Sequence, residues 1–171
     1  MNLSHVRVQD RDMNPGSLIA LALFVFVCFA AAAIGTVPTI NSLRTWYPKL
    51  RKPGWNPPNA IFGPVWTVLY LLMAIAAWLA WRQSGLSIWI AVFIVQLVLN
   101  AAWTLIFFGW KQPGLAAVEI AILWAAIAAT LIGFYGLSPL AGLLLVPYLA
   151  WVTFAGFLNL AIWRLNRPAD A

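Results

Sequence analysis

The chain has 171 residues, 64% of them hydrophobic and only 8% charged. A water-exposed domain carries about 25% charged residues, so a soluble globule, a disordered chain and (with Cys28 alone) a disulfide scaffold are excluded. The net charge of +6 is not a nucleic-acid signal, because the basic residues sit at the ends of apolar runs, where membrane orientation explains them.

A polar tail, residues 1–17, precedes the first apolar run, Leu18 to Val37, which is uncharged and long enough to cross a bilayer. Arg7 and Arg11 ahead of that run also fit a signal peptide, but the run slightly exceeds the usual h-region of about 7–15 residues. Residues 38–60 then hold Pro38, Pro48, Pro53, Pro57 and Pro58 with Trp46, Tyr47 and Trp55. Loops of this length are lids or linkers. Five prolines stiffen it and three aromatics give it packing surface, so an ordered lid is expected. The second run is Ile61 to Trp81 and the third Leu86 to Phe108. The fourth, Leu115 to Tyr135, carries Glu119, and the fifth, Leu140 to Trp163, carries Pro147. A tail, 167–171, follows the membrane domain 18–166. Three short links imply antiparallel neighbours. Each run satisfies its backbone internally as a helix, as lipid demands. The expected fold is an all-α integral membrane protein, a bundle of five transmembrane helices.

Five spans put the termini on opposite faces. Arg7, Arg11 and Arg82 fall on one face; Arg44, Lys49, Arg51, Lys52, Lys111, Arg164 and Arg167 fall on the other. The positive-inside rule places the lid and the C-terminus in the cytoplasm and the N-terminus outside.

Chemistry inside the spans is sparse. The single histidine, His5, lies in the tail, which removes His-based metal sites and Ser-His-Asp catalysis from the bundle. Gln96, Asn100 and Trp103 are spaced i, i+4, i+7 on one helix face, for a ligand or for interhelical hydrogen bonds. Glu119 is the one intramembrane carboxyl; it answers to the helix dipole, to Lys111 or to a ligand. Without a second carboxyl, paired-acid catalysis is not available. Trp81, Trp89, Trp110 and Trp163 sit at span ends as interfacial anchors, whereas Trp66, Trp103, Trp124 and Trp151 lie deeper. Aromatic walls with a few amides suit a flat, apolar ligand, and Pro147 offers a kink to shape the pocket floor.

Trp46-Tyr47, Leu50, Lys52-Pro53, Trp55, Pro57-Pro58, Phe62, Trp66 and Leu69-Tyr70 form a pattern. It continues through Gln96, Leu99-Asn100, Trp103 and Phe107-Phe108-Gly109 to Pro147-Tyr148, Trp151, Ala155, Leu158-Asn159 and Trp163-Arg164. The whole resembles the translocator protein (TspO/MBR) family, whose bacterial members are tryptophan-rich sensory proteins. The resemblance implies a five-helix bundle, commonly a homodimer, that binds protoporphyrin-type tetrapyrroles. It implies a role as sensor or receptor, as carrier in transport, or as a light- and oxygen-dependent porphyrin-degrading enzyme. Trp66 and Trp151 match the tryptophans linked to porphyrin chemistry, which makes them the catalytic candidates under the enzyme reading. Tyr47, Asn100, Trp103 and Glu119 match ligand-site positions. The sterol motif is not matched, because Leu160 and Ala161 stand where tyrosines fall.

The expectation is therefore a porphyrin or other flat lipophilic ligand, with no resident cofactor or metal and no nucleic acid. Its site is expected to comprise Trp46, Tyr47, Trp66, Tyr70, Gln96, Asn100, Trp103, Glu119, Tyr148 and Trp151. Arg44, Lys49, Arg51 and Lys52 are expected to attract its acidic groups. The expected setting is a bacterial inner membrane.

Overall fold

A computed structural model describes residues 15–167. The assigned tails, 1–17 and 167–171, lie almost wholly outside that range. The elements are α1 Pro15–Thr45, α2 Phe62–Ser84, α3 Ile88–Thr104, α4 Pro113–Leu137, α5 Pro139–Leu143 and α6 Val146–Leu165. Five helical units are long and apolar enough to cross a membrane, the fifth being α5 and α6 together. The fold is an all-α bundle of five spans.

The lid begins later than residue 38. Helix α1 runs on through Pro38 to Thr45, 31 residues and roughly 47 Å at 1.5 Å per residue. Proline removes one backbone donor, but ending the helix inside lipid would strand several. Hydroxyls of Thr36, Thr39 and Thr45 donate to the carbonyls of Ala32, Gly35 and Asn41 and hold the helix on either side. The lid proper is Trp46 to Pro58, with one 3₁₀ turn at Tyr47–Lys49 and a second, Asn59–Ile61, leading into α2.

Around the bundle, α1 packs on α2, α2 on α5 and α6, these on α4, α4 on α3, and α3 back on α1. Helices α2 and α3 follow one another in sequence yet touch little. Gly85, with φ +64, closes α2 in a left-handed conformation that glycine adopts without strain. Close approach comes from small residues: Ala74, Ala76, Ala77 and Ala80 of α2 are fully buried against Met73, Phe93 and Phe134. Large apolar side chains such as Phe26, Val68, Val98, Ile132 and Phe157 point outward, as lipid allows.

Two departures from regular helix shape the lid end. Past α3, Leu105–Gly109 forms a π turn in which Trp110 N donates to Leu105 O at 2.8 Å. The fifth span breaks at Leu144–Leu145, between α5 and α6. The cause is Pro147, which has no N–H to offer the carbonyl of Leu143.

Candidate functional site

The site starts from one amide. Asn100 is 1% exposed, on the inward face of α3. Its Oδ1 accepts from the Tyr70 hydroxyl of α2, and its Nδ2 donates to the Tyr148 hydroxyl of α6 at 3.1 Å. One side chain thus ties three helices and satisfies two buried phenols. Trp66 lies over Tyr70, centroids 5.6 Å apart, and edge-on to Tyr148 at 6.1 Å.

One turn toward the lid, Trp103 Nε1 donates to Asn159 Oδ1 at 3.1 Å, and Asn159 Nδ2 donates to Pro113 O at 2.7 Å. The indole is thereby locked through α6 to the start of α4. Its ring stacks on Phe107 at 5.4 Å. The π turn adds one residue to the helical turn, so consecutive residues Phe107 and Phe108 both reach the cluster, 4.8 Å apart. Tyr47 of the lid closes on both rings, at 6.4 and 5.9 Å, and is 3% exposed. Trp46 meets Phe107 edge-on at 5.8 Å.

Between these rings lies a small chamber, about 30 Å³, bounded by Tyr47, Phe62, Trp103, Phe107, Trp151, Phe154 and Asn159 among others. That is room for one water, whereas ligand pockets run to about 300–1,000 Å³. The site is closed in this conformation.

The lid is stapled down. Asn166, just past α6, accepts from Arg51 N at 2.9 Å and donates to Arg51 O at 2.8 Å. The Tyr47 hydroxyl donates to Asn56 Oδ1 at 2.8 Å. Burial pushes the Tyr47 phenol above its ordinary pKa, and the bond to Asn56 only partly opposes this. Lys52 is half-buried and held in the lid. Its Nζ donates to the carbonyls of Tyr47, Leu50 and Pro48 at 2.8, 3.2 and 3.4 Å and lies 4.8 Å from the Tyr47 ring centroid. Arg44, Lys49 and Arg51 remain exposed at the same end.

Of the expected residues, Tyr47, Trp103 and Trp151 line the chamber, and Trp46 backs it. Trp66, Tyr70, Asn100 and Tyr148 form the layer behind. Gln96 lies one turn further from the lid, where its Nε2 meets the Met73 sulfur at 3.9 Å and its Oε1 has no hydrogen-bond partner. Glu119 is buried with neither carboxylate oxygen hydrogen-bonded, and it is not a lining residue of the chamber. It does not bond to Lys111. Residues not singled out by the sequence reading of the site are Phe62, Phe107, Phe108, Phe154 and Asn159. Asn159 carried a usable signal, an amide within an apolar span. Phe107 and Phe108 stood in the family pattern, but nothing there showed that both rings face the chamber, because their shared orientation depends on the π turn.

The family model of the TspO/MBR family matches residues 24–164, the five spans and the lid. The chain belongs to the TspO/MBR family. It is 40% identical over 153 residues to a tryptophan-rich protein TspO of Chlorobaculum tepidum, covering 87% of this chain and 97% of the relative. It is 43% identical over 126 residues to the human translocator protein, covering 71% and 75%. It is 39% identical over 145 residues to a tryptophan-rich sensory protein of Cereibacter sphaeroides, covering 85% and 92%. The lid, the aromatic cluster and the Asn100 layer of this TspO/MBR protein all fall within the matched residues. It is an integral membrane protein.

Proposed function

We propose that this protein binds a flat, apolar tetrapyrrole of the protoporphyrin type beneath the lid and acts as a membrane sensor or carrier of it. Relatives named tryptophan-rich sensory protein and translocator protein support the sensing or carrying part. The observation that carries the reading is the chamber wall. Rings of Tyr47, Phe62, Trp103, Phe107, Trp151 and Phe154 converge there from the lid and three helices. Asn159 brings an amide to it, and the layer of Asn100, Tyr70 and Tyr148 lies behind. Such surfaces favour a π-rich guest through stacking and apolar burial. The exposed Arg44, Lys49 and Arg51 supply positive charge for its acidic groups at the rim.

The test is a protoporphyrin titration of the purified full chain in the dark, read by tryptophan fluorescence. Saturable quenching is expected, with affinity lowered about tenfold, or 1.4 kcal/mol, by Trp66→Phe or Trp151→Phe. Absence of saturable quenching overturns the reading. Illumination in air then separates the sensor or carrier from the porphyrin-degrading enzyme: loss of the porphyrin spectrum with turnover, abolished in Trp151→Phe, assigns the enzyme.

A further inference from the structure

We propose that the ligand enters this chamber sideways from the bilayer, through the seam between α2 and α6, with the Trp151 ring as the gate. The inference rests on the binding function above and adds a route and a gating residue to it.

The chamber is shut, so some wall must move. The lid wall is the more strongly held. Two bonds join Arg51 to Asn166, and Tyr47 is wedged against Phe107 and Phe108. The bonds of Lys52 and of Tyr47 to Asn56 lie within the lid and make it move as one piece. Opening it breaks both Asn166 bonds, each worth about 1 kcal/mol net, together with the ring contacts of Tyr47.

Among the described residues no hydrogen bond joins α2 directly to α6; the two are linked through Asn100, which bonds Tyr70 and Tyr148 in the layer behind the chamber. The two helices diverge there and leave an open apolar groove of about 560 Å³ on the lipid side, walled by Val68 and Leu72 on one helix and Ala150 on the other. Trp151 and Phe154 stand at its back, and these same two residues line the chamber. Two rings therefore divide a ligand-sized groove from the site. Among the described residues the Trp151 indole makes no hydrogen bond, in contrast to Trp103 and Trp124, whose N–H groups are bonded to Asn159 and Thr153. It is positioned by apolar packing, with Phe62 at 6.0 Å, Phe154 at 5.6 Å and the buried core behind it. Swinging it aside costs apolar contacts and no hydrogen bond among the described residues. The helix break at Leu144–Leu145 and Pro147 lies within a turn or two of the gate and leaves that part of the span less tightly bonded.

The groove also fits the guest's chemistry. A lipophilic ring system partitions into the hydrocarbon and meets this groove without crossing water. Its acidic groups stay toward the basic rim at the lid end of the seam.

The experiment uses the full chain in liposomes, with protoporphyrin delivered from donor vesicles and tryptophan quenching followed by stopped flow. Ala150→Phe fills the groove from an exposed position outside the chamber, and Val68→Phe does so from the opposite wall. Either substitution is expected to slow association and dissociation alike, about tenfold, with equilibrium affinity unchanged, because it raises a barrier without touching the bound state. Asn166→Ala, which cuts the lid staple, is expected to leave both rates as they are. Wild-type rates in both groove-filled variants, or faster entry in Asn166→Ala, overturn the side entrance and give the route to the lid. A change in affinity without a slower association overturns the gate. If the unmodified protein shows no saturable quenching, the binding function itself has failed.

Discussion

Lys52 and Tyr47 show how individual side chains convert a proline-rich stretch into an ordered lid. A loop has few partners for its own carbonyls, and a lysine ammonium supplies three donors at one point. Lys52 spends all three on the carbonyls of Tyr47, Pro48 and Leu50 and places its charge beside the Tyr47 ring. The charge was visible in the sequence, whereas the carbonyls it grips were not, because the direction of a side chain is not. Tyr47 is the lid's apolar plug, and its burial makes the fold sensitive to alkali. Its folded pKa lies above the unfolded value of about 10, so ionisation opposes the closed state. The stabilisation is complete below about pH 10 and is lost as pH rises toward the folded value. The thermal midpoint of the protein in detergent should therefore fall more steeply as pH rises above about 10 than that of Tyr47→Phe, which has no such ionisation. Parallel curves for the two would show that Tyr47 does not couple the lid to pH.

Among the elements, what matters most is which large ring meets which missing side chain. Trp89 and Trp163, expected as interfacial anchors, also serve as packing partners: Trp89 covers Gly133 of α4, and Trp163 covers Gly114. A Cβ at Gly133 would collide with the Trp89 indole, whereas a Cβ at Gly136, less than one turn later, would meet nothing within 4 Å. Gly133→Ala should accordingly lose about 1–3 kcal/mol of stability to overpacking. Gly136→Ala should be neutral or slightly stabilising, as glycine replacement in a helix is elsewhere. Denaturation of both variants in detergent checks this, and equal effects would show that the α3–α4 contact tolerates a displaced Trp89. The five spans were legible in the sequence because their length and apolarity are set by lipid and do not depend on neighbours. The i, i+4, i+7 row of Gln96, Asn100 and Trp103 was legible for the same reason, being a property of one helix. The end of α1 was not, because Pro38 marks a break only where water can take up the freed groups. The π turn was not either, since the residues from Leu105 to Gly109 read equally well as ordinary helix, and it is this turn that brings Phe107 and Phe108 together.

For the molecule as a whole, the distribution of charge and the position of the site point the same way. The bonds between Arg51 and Asn166 fix the lid and the C-terminal end of α6 on one face. Phe108 against Tyr47 places the α3–α4 link on that face as well. It carries Arg44, Lys49, Arg51, Lys52, Lys111, Arg164 and Arg167, while Arg82 lies at the opposite end. Each basic residue in a short loop resists translocation, and acidic residues do little to offset it. The asymmetry predicts a cytoplasmic lid and, with it, a chamber in the cytoplasmic half of the bilayer. A cysteine introduced at the exposed Arg51 should react with a membrane-impermeant thiol reagent in inside-out vesicles and not in intact cells. The native Cys28 gives little background, because it is fully buried. Labelling in intact cells instead would place the lid outside and reverse the sidedness of sensing. That outcome would leave the site's geometry intact but would require an extracellular source for its ligand. It would also put the seam's basic rim at the outer headgroups, where the anionic lipids that draw positive charge to the inner surface are scarcer.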